Sequence, residues 1–277
     1  LATGQAYSGY GGGGGAGGSI WLDVGTFAGS GAINTNGSPA GQTYGGGGGG
    51  GRVAVYYTTK TYTGTLTAFS GTPGSGAGGW GSPGTIFQKA AAATNGDLLV
   101  GANNTNGQRT GFPVNTSWTL NSITLNRGAL LEVPATVTVT CATLAGDNTG
   151  ILWQNGGNYD FGTLNVTVAA GTFRYAAGTI SGNTAGVNLT VANGAIFETN
   201  TLNPVSMNSV TVQNGGKLSH TGNGGSKTFV LNLSLASCTI DAGGAFDVSG
   251  KGYSGGASGP GAPPWNTYGG GSHGGGG

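Results

Sequence analysis

Five short segments of this chain read apolar, Thr, apolar, two further residues, then Gly, and their regular spacing constrains the fold more than any other feature. They are "ITLNRG" ending at Gly128, "VTVAAG" at Gly171, "LTVANG" at Gly194, "VTVQNG" at Gly215 and "CTIDAG" at Gly243. A second short apolar stretch follows each glycine. A degenerate copy at Gly150, followed by Ile151, Leu152 and Trp153, divides the one long gap. Counted through that copy, the motif returns about every 23 residues, a period that marks stacked units, none of which can bury its apolar face alone.

The residues flanking each Thr, such as Val166 and Val168, Leu189 and Val191, or Val210 and Val212, share one face of a strand, because side chains alternate with period two. Stacking at about 4.8 Å joins those faces into a buried column and pairs the backbone groups between neighbours. A glycine after each strand permits a positive φ at the corner. No segment carries a helical apolar period over three turns, "FQKAAAA" at Phe87 to Ala93 being the nearest approach. Parallel connections of this kind are right-handed. The expected fold is all-β: a right-handed parallel β-helix, or β-solenoid, over residues 115–250, with a glycine-rich β region at 1–114 and a glycine-rich joining segment at 251–277. In the first region "SIWLDVGTFAGSGAINTNG" and "RVAVYYTTKTYTGTLTAFSG" contain strand runs. The turn-rich "GTPGSGAGGWGSPG", Gly71 to Gly84, reads as a long loop or subdomain junction.

Glycine supplies 64 of 277 residues, while charged residues fall to 6% against the usual quarter or so. Disordered glycine-rich chains carry few aromatics and β-branched residues, but this one has five Trp and ten Tyr, so most of it is expected to be ordered. A run such as Gly45 to Gly51 can be a flexible linker or an extended threefold helix that bonds to neighbouring glycine helices. A phosphate-binding loop is excluded by the missing Lys-Ser/Thr ending. The packed helix is the preferred reading, and it is stable only when several glycine segments assemble, since ordering glycine is entropically costly.

The net charge of +1 and the scattered Lys and Arg exclude a nucleic-acid surface. No apolar run long enough to span a membrane as a helix is present. The chain begins at Leu1 without a Met or a charged-then-apolar leader, which reads as a processed protein or a piece of a longer one. "GQAYSG" at Gly4 to Gly9 and "GKGYSG" at Gly250 to Gly255 match in spacing, and both lead into glycine-rich tracts. Two explanations fit: the chain is one period of a tandem array, or separate subunits dock head to tail through similar glycine-rich ends. The expected assembly interface is Tyr7, Tyr10, Gly13, Tyr44, Gly48, Tyr253, Trp265, Tyr268 and Gly275.

With "GGSIWL" from Gly17, Gly29 to Gly37, and "GGGGGGGRVAVYY" from Gly45 to Tyr57, the chain resembles the very long glycine-rich surface proteins of environmental bacteria. Its solenoid stretch is similar to adhesin passenger domains. The resemblance implies an extracellular or cell-surface location and an adhesive or structural role, and brings no catalytic residues.

Enzyme chemistry on a β-helix would need clustered carboxylates. The eight present, Asp23, Asp97, Glu132, Asp147, Asp160, Glu198, Asp241 and Asp247, are spread. Only Glu198 with Asp241 or Asp247 could approach across stacked turns. His220 and His273 have no recognisable triad motif. No catalytic residue, cofactor or metal is assigned. Cys141 and Cys238 are expected to be small buried side chains about four turns apart, too far for a disulfide. A binding surface is the alternative. The Thr column of Thr124, Thr167, Thr190, Thr211 and Thr239 would suit ice or crystalline glycans, and Trp80, Trp118, Trp153 and Trp265 could stack on sugars. Sequons at Asn36, Asn103, Asn115, Asn165, Asn188 and Asn232 are expected by chance in so Asn- and Thr-rich a chain. The sequence thus points to a non-enzymatic structural subunit or repeat unit of an extracellular fibre or surface layer, with itself as partner in a homopolymer or tandem array, and surface glycans as a second partner class. A glycan- or ice-binding adhesin is the runner-up, and a β-helix polysaccharide lyase stands behind both.

Overall fold

The computed structural model describes residues 11–76, 78–103, 108–160, 165–168, 172–181, 187–192 and 194–253. Among these residues there are strands and no helix. The chain opens with β1 (Ser19–Phe27), β2 (Ala32–Asn34), β3 (Arg52–Lys60), β4 (Thr65–Thr67), β5 (Thr85–Ala90), β6 (Gly96–Gly101) and β7 (Arg109–Gly111). It continues through β8 (Ser117–Asn126), β9 (Leu130–Pro134), β10 (Thr138–Gly146), β11 (Ile151–Asp160), β12 (Asn165–Val168) and β13 (Thr172–Ser181). The last are β14 (Asn188–Val191), β15 (Ile196–Thr199), β16 (Val205–Val212), β17 (Lys217–His220), β18 (Leu233–Ile240) and β19 (Ala245–Phe246).

In the first unit β1, β3 and β5 pair in parallel, with Ser19, Arg52 and Thr85 in one row. β2 pairs in parallel with β4, Ala32 opposite Thr65. Both rows advance by the same step along the chain, from Ser19 to Arg52 in the one and from Ala32 to Thr65 in the other. The inward faces place Phe27, Val53, Val55, Ala68 and Ile86 in one buried core.

Ahead of the three long strands run extended glycine-rich segments at 11–18, 45–51 and 78–84. Two return segments, 34–41 and 67–74, run antiparallel to them. The amides of Gly14 and Gly17 donate to Gly46 and Gly49, and those of Gly47 and Gly50 donate to Gly79 and Ser82. The amides of Gly48 and Gly51 donate instead to Ser38 and Thr35 of a return segment, while Gly71 and Gly74 of the other donate to Gly48 and Gly45. Each partner therefore recurs at every third residue, as a threefold extended backbone requires and a strand of period two cannot provide. The spacing is so close that a Cβ at Gly14, Gly48 or Gly81 would collide with the carbonyl oxygen of Ser38, Gly15 or Gly48, respectively. Gly71 to Gly74 and Gly78 to Gly84 belong to these packed segments, so the stretch is not one long loop. Most of its glycines serve close backbone approach, and the chain reverses direction only between Gly74 and Gly78.

The true change of texture comes later, where β5 pairs antiparallel with β6, Ile86 opposite Leu99 and Phe87 opposite Leu98. "FQKAAAA" is thus strand as far as Ala90 and then turn. A strand, unlike a helix, lets Ile86 and Phe87 point to opposite sides. Ile86 enters the first core and Phe87 packs against the second, which also takes Leu98. The core changes sides of the sheet at this hairpin, and the second core begins upstream of residue 115, with Leu98, Val100, Ala102 and Phe112.

Beyond the hairpin all pairings are parallel. One ladder runs β6, β8, β10, β12, β14, β16, β18, and a second runs β7, β9, β11, β13, β15, β17, β19. In the first, Ser122, Thr143, Thr167, Thr190, Thr211 and Thr239 form one row, each a turn of the chain from the next. Thr124 is therefore outside the expected Thr column; it sits two positions along, opposite Ala145. β8 continues past Ile123 to Asn126, so its "ITLNRG" motif lies two positions farther from the row than the other copies. Leu189, Val191, Val210 and Val212 are buried, whereas Thr190 and Thr211 are half-exposed on the other face. Gly128, Gly194, Gly215 and Gly243 all have positive φ at the corners, a conformation that glycine adopts without strain.

Candidate assembly interface

Of the residues expected to mediate assembly, Tyr7, Tyr10, Trp265, Tyr268 and Gly275 lie outside the described residues. The other four fall in two places. Gly13, Tyr44 and Gly48 belong to the glycine-rich unit, and Tyr253 follows the last strand at the opposite end. Gly48 is buried, and its amide and carbonyl are both bonded within the chain, to Ser38 and from Gly71. Gly13 and Tyr44 are exposed. A Cβ at Gly13 would meet only the Gly46 carbonyl, at 3.4 Å, so this glycine, unlike Gly48, lies on an open face.

The apolar column of the second unit stays sealed until its last turn and then opens. Val210, Val212 and Leu218 are fully buried, and their row-mates in the next turn are Cys238, Ile240 and Phe246. Ile240 is 50% exposed, Phe246 43% and the nearby Val248 45%. Cys238 is exposed as well, against the expectation of a buried thiol, because no described strand covers β18. Cys141, four ladder steps away, is buried and donates to the Thr143 carbonyl. The two cysteines form no disulfide.

At the other edge of the sheet, β1 pairs only with β3 among the described strands. Trp21 on this strand is 69% exposed. Its ring is tilted against that of Tyr56, with centroids 4.7 Å apart, and Tyr56 lies 5.7 Å from Phe87. Trp21 is not among the aromatic residues that the sequence singles out. The signal that could have found it is the evenly spaced repeat "GGSI", "GGRV", "PGTI" at Gly17, Gly50 and Pro83, which aligns the three strands.

The polar candidates serve local structure. Glu198 accepts from the Thr221 hydroxyl at 2.5 Å, and Asp247 is bonded to Lys217 at 3.3 Å. Ser219, whose hydroxyl donates to the Asp247 carbonyl, is the row-mate of Glu198 and stands between the two carboxylates. Asp241 is at the corner after β18, its amide donating to Val212. His220 Nδ1 is 2.8 Å from the neighbouring Thr221 carbonyl. No group of three or more His, Cys, Asp or Glu suited to a metal occurs among the described residues. Asp147 accepts from the amides of Arg127 and Thr149 and from the Thr149 hydroxyl. Burial pulls its carboxyl up, but these donors together hold it below the usual aspartate value.

Trp118 donates to the Thr116 hydroxyl at 2.8 Å, and the Arg109 guanidinium lies over the Trp153 ring at 5.5 Å. Trp118, Phe87, Phe112, Arg52, Gly49 and Gly84 are among the residues that line a groove of about 270 Å³ where the two units meet. In comparisons with known proteins, no family model, no curated protein and no solved structure matches this chain.

Proposed function

We propose that this protein is a structural subunit of an extracellular fibre or surface layer whose copies assemble end to end. In this reading the ladders of the second unit are the faces of a right-handed parallel β-helix, and the first unit is a bundle of polyglycine helices joined to its side. The observation that carries the reading is the open last turn, with Ile240 and Phe246 exposed above the fully buried row-mates Val212 and Leu218, and Val248 exposed nearby. Such a surface, continuous with a hydrophobic core, calls for a partner, and unpaired strand edges at both ends of one sheet supply the template for it. The low charge supports association, since a chain of net charge +1 has little repulsion to keep it apart. The resemblance to bacterial surface proteins supports the location. Electron microscopy and sedimentation of the purified protein test the proposal. Regular filaments or concentration-dependent oligomers are expected, and a monomer at all concentrations would overturn it.

The groove beside Arg52 favours a second reading, a glycan-binding adhesin, because aromatic walls and an exposed guanidinium suit an acidic sugar. A glycan array against which Trp118→Ala and the parent bind equally would exclude this groove.

A further inference from the structure

We infer that Trp21 of one copy caps the open apolar end of the preceding copy, with β1 adding to the edge of β18 as an antiparallel strand. This inference rests on the end-to-end assembly proposed above and names its joint.

The strand directions come first. β1, β3 and β5 are mutually parallel, β5 and β6 are antiparallel, and every strand from β6 to β18 in that ladder is parallel. β1 and β18 are thus opposite edges of one sheet and run in opposite directions. Translating one copy onto the next brings them together as an antiparallel pair, the same relation that β5 and β6 have within the chain.

The side chains agree with this. Trp21, Ala54 and Phe87 occupy one row across the first unit, and Phe87 continues it into Leu98 across the hairpin. Phe87 closes the near end of the second core from that row. Trp21 faces the same side of the sheet as Phe87, and it is exposed. That side is also the one onto which the second core opens at Ile240, the last member of the row that Leu98 begins. An exposed indole on one edge and an uncovered apolar column on the other are complementary in side, direction and chemistry.

A second copy fits better than residues 254–277. Covered turns of the core are sealed by alternating apolar residues of the next turn, as in "LTV" or "VTV". Residues 254–277, "SGGASGPGAPPWNTYGGGSHGGGG", contain no Val, Ile, Leu or Phe.

The experiment uses the full chain. A benzophenone amino acid is placed at position 21 in one isotope-labelled population, mixed with unlabelled chains and irradiated. Intermolecular cross-links to the peptide spanning 233–248 are expected. In parallel, Trp21→Asp and Ile240→Asp should each raise the concentration needed for assembly by about a hundredfold or more. Both positions are exposed, so the β signal in circular dichroism should stay that of the parent. Mixed one to one, the two variants should form dimers and stop, since each retains the end that the other lacks. Filaments that persist in both variants, or cross-links from position 21 only to residues 254–277, would overturn this joint while leaving assembly standing. A parent protein that never associates would overturn the joint and the assembly together.

Discussion

The two units of this chain fill their interiors by opposite means. In the second, from β6 onward, side chains do it: Ile123, Leu144, Val191 and Val212 stack in register, and the backbone only spaces them. In the glycine segments of the first the backbone is itself the filling, because neighbouring carbonyls occupy the space a Cβ would need. The first design tolerates exchange between similar apolar residues, since a column asks for volume and hydrophobicity. The second tolerates almost nothing at enclosed positions such as Gly14, Gly48 and Gly81, because glycine has no smaller substitute. The comparison teaches that glycine content here reflects distance between backbones, while the hydrogen-bond partners recur with a period of three.

The sharpest way to break the comparison is at the column. Val191→Asp places an unpaired charge in a fully buried row and should cost more than about 4 kcal/mol, enough to unfold the second unit. Loss of the cooperative thermal transition by circular dichroism checks it, and an unchanged melt would reverse the inward assignment. Gly48→Val should come next, at about 3 kcal/mol or more, through collision with the Gly15 carbonyl. Here the expected outcome is local. Hydrogen exchange should rise throughout the packed glycine segments while β14 and β16 stay protected. Gly49→Ala sharpens the same point at the adjacent position, because its Cβ meets only the Ser82 carbonyl, at 3.7 Å. A change within about 1 kcal/mol of zero is expected, the less flexible unfolded chain offsetting any small loss. Equal damage at positions 48 and 49 would remove the threefold reading.

The smallest effect is electrostatic. The carboxyl of Asp147 is held below its ordinary value of 3.8. A carboxyl depressed in the folded state adds stability above its unfolded value, and that stability is lost as pH falls through the folded one. Melting temperature should therefore be flat from about pH 7 to about 5 and decline below about 4. In Asp147→Asn the part of that decline due to this group should vanish, which melts at about pH 3 and about pH 6 would read.

Much of the second unit is legible in the sequence. In the copies around Thr124, Thr190 and Thr211 the apolar, Thr, apolar motif identified which residues turn inward, because alternation along a strand is a local property. The glycines after it identified the corners. The error at Thr124 shows the limit: a motif gives parity, but a shift of two positions preserves parity and is visible only in the pairing. Gly71 to Gly84 shows another. Glycine and proline in a turn and glycine in a packed rod look alike one residue at a time, and only the even spacing of Gly18, Gly51 and Gly84 separates them.

What the sequence by itself determined was the strand character, the period and the inward residues, since these follow from side-chain chemistry at fixed short spacing. Only the tertiary structure decided that the core changes sides at the β5 and β6 hairpin, that Gly48 is enclosed while Gly13 is open, and that Trp21 and Ile240 lie uncovered at opposite edges. Those facts depend on which backbone lies beside which across a whole turn of the chain, as from Leu120 to Cys141 or from Val53 to Ile86. Exposure is a property of the neighbour that is present or missing, and the residue's own identity does not record it.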